Sequence, residues 1–202
     1  MSAQSISSLV SIPSVASDLS NRKERATIED LYQFPSDVKA ELIEGEIVPM
    51  TPTGDAPGYA GDEIFVALRQ YVRERQTGRA VGDNKSFRVD LPNRESFSPD
   101  AAYYVGLRAG MRFFEGAPVF AVEVRSENDY GEYAERKMAE KRADYFAAGT
   151  LVVWDVDLLS AEVVRKYTAE QPTIPTVFRH GDLADAEPAV PEWSMPVNDL
   201  FG

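Results

Sequence analysis

Two apolar runs frame the middle of the chain. Residues 118–124, Pro-Val-Phe-Ala-Val-Glu-Val, are almost uninterrupted strand-favouring residues and predict a strand buried on both faces. Residues 151–156, Leu-Val-Val-Trp-Asp-Val, predict a second such strand. Between them Ala134, Met138, Lys141, Tyr145 and Ala148 fall on one face at about 100° per residue, which predicts a helix from 132 to 148 closed by Gly149. Ile64, Phe65, Leu68, Tyr71 and Val72 predict an earlier amphipathic helix running to Gln76, after a loop at 51–61 with three glycines and two prolines.

The flanks read in shorter pieces. Thr27 three residues before Asp30 has the form of a capping box, and Ile28, Leu31 and Tyr32 give a short helix stopped by Pro35. Residues 39–50 read as two strands meeting at Glu44-Gly45, 79–81 and 86–89 as strand pieces before a turn at Pro92-Asn93, and the strand of Asp100 follows. Residues 106–117 form a glycine-rich loop whose Arg108, Arg112, Phe113 and Phe114 read as a solvated surface, with contact to a polyanion as the alternative. Alternation at 162–167 predicts a sheet-edge strand, after which Pro172, Pro175, Pro188, Pro191 and Pro196 break the chain into short extended pieces. Residues 1–24, Ser-rich and without period, read as a flexible tail, leaving 25–202 as a single domain.

With 202 residues, 44% of them hydrophobic, the chain can bury one substantial core. No apolar run approaches the roughly 20 residues of a membrane span, and the start lacks the pattern of a secretory signal, so a cytoplasmic protein without membrane contact is expected. Absence of cysteine excludes disulfides, thiolate metal sites and a cysteine nucleophile. A lone histidine, His180, excludes two-histidine metal sites, and it is assigned no chemistry. Chemistry must then rest on carboxylates, lysine, tyrosine or serine. The formal net charge of −12 argues against nucleic-acid binding through a broad basic face, an objection eased where carboxylates gather around a divalent ion.

Glu123 interrupts the first apolar run, and a buried carboxylate needs a partner. Asp100, set by Pro99 at the entrance of the preceding strand, can supply a second acid, and the pair suits one divalent metal. Lys141 stands in the middle of an apolar helical stripe. The ordinary reading is a snorkelling or salt-bridged lysine, but a helix following directly on the Glu123 strand can pack back toward the acids. Glu41, Glu44 and Glu46 read as solvent-facing hairpin residues, and Glu63 as a first-turn acid favoured by the helix dipole.

The ordered set Glu41-Leu42-Ile43-Glu44-Gly45-Glu46, Pro99-Asp100, Val122-Glu123-Val124-Arg125-Ser126, a helix with Lys141 and Tyr145, then Val153-Trp154-Asp155-Val156-Asp157 resembles the Uma family of restriction endonucleases, part of the PD-(D/E)XK superfamily. The resemblance implies an α/β (α+β) fold, a restriction-endonuclease-like mixed sheet flanked by helices, here with an extra N-terminal hairpin and C-terminal strands. It also implies a Mg²⁺- or Mn²⁺-dependent endonuclease acting on nucleic acid, DNA by expectation, and working as a homodimer. Asp100 and Glu123 match the catalytic acids and, with the Val124 carbonyl, the metal ligands; Lys141 matches the lysine on the following helix, with Lys137 as its fallback. Arg125 stands where the plain E-X-K pattern has lysine, and residues 58–62 lack the histidine often found at the first core helix. Glu63, Glu41 or Glu44 is then left to complete the site. The alternatives are a catalytically inactive nuclease-fold binding or regulatory module, favoured by the net charge and Arg125, and a purely structural ionic network.

Overall fold

The computed structural model describes residues 25–202; the tail expected over 1–24 lies outside them. Helix α1 (Ile28–Gln33) carries the expected capping box, with the Thr27 N–H donating to Asp30 Oδ2 at 2.8 Å and the Asp30 N–H to Thr27 Oγ1 at 3.3 Å. Strands β1 (Ala40–Ile43) and β2 (Glu46–Pro49) form the expected hairpin. Its turn places Glu44 and Gly45 at positive φ, and a Cβ on Gly45 would strike the Arg25 side chain at 2.5 Å, so only glycine fits.

Helix α2 (Asp55–Arg75) begins well before the predicted start, inside the stretch read as a loop. Pro57 falls in its first turn, where an N–H has no intrahelical partner to lose, and Gly61 faces Asp100, which a Cβ there would meet at 3.6 Å. Next come β3 (Arg79–Gly82), β4 (Phe87–Leu91), β5 (Arg94–Phe97) and β6 (Ala101–Tyr104). Strand β5 is not apparent from hydrophobic alternation because its inward positions include Arg94 and Ser96, both buried among polar partners. Two residues of the 106–117 loop form β7 (Phe114–Glu115), parallel to β4.

Strand β8 (Phe120–Val124), helix α3 (Glu132–Ala147) and β9 (Val152–Val156) make a parallel crossover unit, as the two apolar runs and the stripe between them predict. Strand β10 (Val164–Thr168) is not the sheet edge. It lies between β9 and β11 (Gln171–Phe178), whose Pro172 and Pro175 are tolerated because β11 itself is the outer strand. Strands β12 (Leu183–Asp185) and β13 (Ser194–Pro196) pair, and a 3₁₀ helix at Val197–Phe201 ends the chain.

Two larger sheets result, in the orders β2-β1-β5-β4-β7 and β11-β10-β9-β8-β6-β3, giving a mixed α+β fold. Side-chain parity in the second sheet decides everything about the site. Phe120, Val122 and Val124, with Trp154, face α2 and the C-terminal segment, where Trp154 packs on Trp193 at 5.4 Å. Ala121 and Val153 face the other way, against Phe97, Phe87 and Tyr145 of the first sheet and α3. Glu123 shares this second face. Among the described residues no helix is long and apolar enough to cross a membrane.

Candidate active site

The β6–β8 ladder pairs Ala101 with Val122, and one residue further along the same antiparallel register Asp100 stands across from Glu123. The Asp100 N–H donates to the Val122 carbonyl at 3.0 Å, and the Val124 N–H donates to Asp100 Oδ2 at 2.8 Å, so backbone fixes one carboxylate oxygen. The other, Oδ1, accepts from Lys39 Nζ at 2.8 Å, and Lys39 also reaches Asp83 at 2.6 Å. Glu123 is tied from α3: Lys141 Nζ donates to Oε2 at 2.8 Å and the Tyr145 hydroxyl to Oε1 at 2.7 Å.

Behind Lys141 lies Glu41, with 2% of its side chain exposed. It accepts from Lys141 at 3.0 Å, from Arg94 at 2.5 Å and from the Ser98 N–H at 2.8 Å. Arg94 in turn donates to Asp144 of α3 at 2.8 Å, and Tyr145 stacks on Phe97 at 4.0 Å. The first sheet thus supplies a rigid floor that holds α3 and orients its amine and phenol on Glu123. Glu41 therefore joins the site, contrary to its expectation as a solvent-facing hairpin residue, because both faces of β1 are covered.

Burial pushes the Glu123 carboxyl above its ordinary value, helped by Asp100 and Glu41 and only partly opposed by Lys141 and Lys39. For Glu41 burial acts the same way, but Lys141, Arg94 and the Ser98 N–H outweigh it and hold the group low. Lys141 would be lowered by burial; Glu123 and Glu41 overcome that and raise it, so its ammonium is a fixed charge at neutral pH. Lys39 is raised by the same balance of burial against Asp100 and Glu123. Tyr145, buried beside Glu123 and Glu41, is well above its ordinary value and acts only as a donor.

Lys39, Asp100, Glu123, Lys141 and Tyr145 line a cleft of about 370 Å³ bordered by Met50, Thr51, Ser126 and Asn128, and Arg125 and Asp155 line it too. The sequence model of the Uma2 family, described as "Putative restriction endonuclease", matches residues 27–198. The chain belongs to the Uma2 family. The fold is also that of a crystal structure from Anabaena variabilis, described as a putative nuclease belonging to DUF820, with a TM-score of 0.69, 19% identity, and coverage of 87% of this chain and 97% of that one.

On this Uma2 fold the remaining candidates separate. Lys137 is on the cleft rim, but its ammonium lies on Glu140 of its own helix at 2.8 Å. Glu44 is an exposed turn residue and does not reach the acids. Glu63 lies in the third turn of the longer α2 rather than in its first, outside the reach of the helix dipole, and contacts Tyr59. Arg125, two residues along the same face as Glu123, reaches the other way: Nε and Nη2 clamp Asp155 at 2.7 and 2.8 Å, and Nη1 and Nη2 hold Glu135. Asp155 is the register partner of Glu123 on β9, so Arg125 neutralises a like charge beside the cleft. It does not occupy the lysine position in space.

Lys39, Arg94, Asp83 and the donor role of Tyr145 are absent from the sequence reading. For Lys39 a signal exists, since it stands two residues before Glu41, at matching strand parity. Among the described residues no three carboxylate or histidine side chains converge as a metal cage. Four carboxylates line the cleft; Asp129 accepts from the Ser126 N–H and Asp155 from Arg125, and the facing pair Asp100 and Glu123 with strand-end backbone gives an all-oxygen donor set. That set fits a hard divalent ion that keeps most of its shell as water.

Proposed function

We propose that this protein hydrolyses phosphodiester bonds in nucleic acid, DNA being the expected substrate, with Asp100, Glu123 and Lys141 as its catalytic residues. The observation that supports it is the meeting, in one open cleft, of two strand-borne carboxylates and an amine from the next helix. Asp100, Glu123 and the Val124 carbonyl would hold Mg²⁺ or Mn²⁺, which supplies Lewis acidity toward water and phosphate oxygen. Lys141, permanently charged, faces the phosphate and stabilises negative charge as it develops. Tyr145 and Glu41 position it. Two copies would cut the two strands of a duplex, so a mass in solution near twice 22.4 kDa is expected. The test is cleavage of plasmid DNA with Mg²⁺ or Mn²⁺: wild type should nick it, and Asp100→Asn or EDTA should stop it.

A structural ionic network is the second reading, favoured because all four carboxylate oxygens of Asp100 and Glu123 already accept a hydrogen bond. Calorimetric titration with Mn²⁺ separates the two. Saturable binding that disappears in Asp100→Asn belongs to the hydrolase alone.

A further inference from the structure

A second concavity, of about 560 Å³, lies between α2 and β3 on the far side of Asp100 from α3. Its lining holds four cations, Arg69, Arg73, Arg79 and Lys85, two aromatic rings, Phe65 and Phe114, and no carboxylate. This clustering of cations is found in a chain of net charge −12. Among the described residues none of the four forms an ion pair: Arg79 donates to the carbonyls of Gly106 and Leu107 at 3.1 and 2.8 Å, and Lys85 to the Asp83 carbonyl at 2.7 Å. Their charges are therefore not cancelled by a carboxylate among the described residues. Arg79 is further held over the Tyr104 and Phe114 rings, 4.9 Å from each centroid.

The groove leads to the cleft. Along α2, a Cβ added at Gly61 would meet the Cβ of Asp100 at 3.6 Å, and Phe65, Arg69 and Arg73, which line the groove, follow at intervals of four residues away from the acids. From Gly61 to Arg73 the helix covers about 18 Å at 1.5 Å per residue. On β3, Gly82 ends the groove and the next residue, Asp83, holds Lys39, which holds Asp100. Gly82 also lets β3 approach α2, since a Cβ there would press on the Phe65 ring at 3.3 Å.

Resting on the nuclease reading of the cleft, we infer that the groove between α2 and β3 carries the phosphate backbone of the nucleic-acid substrate on its way to Asp100 and Glu123. Arg69 and Arg73 contact phosphates, Lys85 sits beside the entrance to the cleft, and Arg79 closes the far end. The net acidity of the protein then restricts binding to this one basic track rather than forbidding it.

The test measures affinity for a fluorescein-labelled duplex oligonucleotide in EDTA, so that nothing is cut, across a series of salt concentrations. Arg69 and Arg73 are exposed, and Arg69→Gln with Arg73→Gln should weaken binding about tenfold and lower the slope of log affinity against log salt by about 2, as two phosphate contacts require. Arg179→Gln, which removes a charge beyond β11 at the opposite edge of the same sheet, should change affinity by less than about twofold, since exposed charges that far apart are screened. Unchanged affinity and slope in the double variant, an equal loss in Arg179→Gln, or a wild-type protein that binds no oligonucleotide overturns the inference. Mn²⁺ titration keeps this apart from the cleft assignment: the groove variant should retain Mn²⁺ binding and Asp100→Asn should lose it. If wild type and Asp100→Asn titrate alike while the groove variant loses oligonucleotide, the nuclease reading fails and the groove stands.

Discussion

Two ionic clusters lie side by side on one face of β8 and β9, and they are built to opposite ends. Arg125 and Asp155, with 2% and 3% of their side chains exposed, are locked by a two-pronged guanidinium contact, and Glu135 closes the arrangement from α3. Asp100 and Glu123, with 15% and 18% exposed, each receive one neutral donor and one ammonium, and both ammoniums have a second carboxylate to turn to. The first cluster fixes its arginine on two carboxylates at the border of the cleft, with Glu135 half exposed. The second lines that cleft with two lysines, each shared between two carboxylates. What separates the two is the cation: a guanidinium that clamps both oxygens of Asp155 in the first, and ammoniums that hold one oxygen each of Asp100 and Glu123 in the second.

The comparison can be broken most severely at Arg125. Arg125→Ala leaves Asp155 buried without its partner and should destabilise the fold by about 3–5 kcal/mol in urea unfolding. Asp100→Asn should leave stability equal or higher, because it removes one of two facing acids, while reducing cleavage by more than about a hundredfold. Lys39→Met should tighten Mn²⁺ binding about tenfold in calorimetry, since it frees the one Asp100 oxygen that backbone does not hold. Looser binding in that variant would make Lys39 a supporting group and not a competitor.

The two clusters should also respond to pH with opposite sign. Glu123 has a raised affinity for protons in the fold, so its contribution to stability is greatest in acid and falls as pH climbs past its ordinary value of 4.5. Hydrogen bonding from Arg125 lowers Glu135, so its contribution is present above 4.5 and is lost as pH falls; being half exposed, it is the smaller of the two. Urea midpoints between about pH 4 and pH 7 should lose the downward slope in Glu123→Gln and the acid-side loss in Glu135→Gln. At the small end, Glu44→Gln and Glu63→Gln should stay within about 0.5 kcal/mol and leave cleavage unchanged.

How much of this was legible in sequence follows from the same chemistry. Glu123 and Lys141 announced themselves because each breaks an apolar pattern strong enough to define its element without it. Asp100 was marked by its proline and its place at a strand entrance. Arg94 and Ser96 defeated the reading for a related reason: buried polar residues on β5 erased the alternation that would have revealed the strand, and their partners, Glu41 and the Leu42 N–H, are about fifty residues away. The start of α2 was hidden by Pro57, Gly58 and Gly61, residues that signal a loop but are harmless in a first turn or facing Asp100. Glu41 shows the limit most clearly. Nothing in 39–50 says that a second layer covers the hairpin.

The N-terminal hairpin also has a bearing on how the molecule comes into being. Lys39 meets Asp100 across 61 positions and Glu41 meets Arg94 across 53, whereas Lys141 meets Glu123 across only 18. Contacts spanning so much chain form late, after the local crossover unit has organised. A chain emerging from the ribosome therefore exposes Lys39 and Glu41 well before Arg94 and Asp100 exist to receive them, and the hairpin can dock only once β5 and β6 have been made.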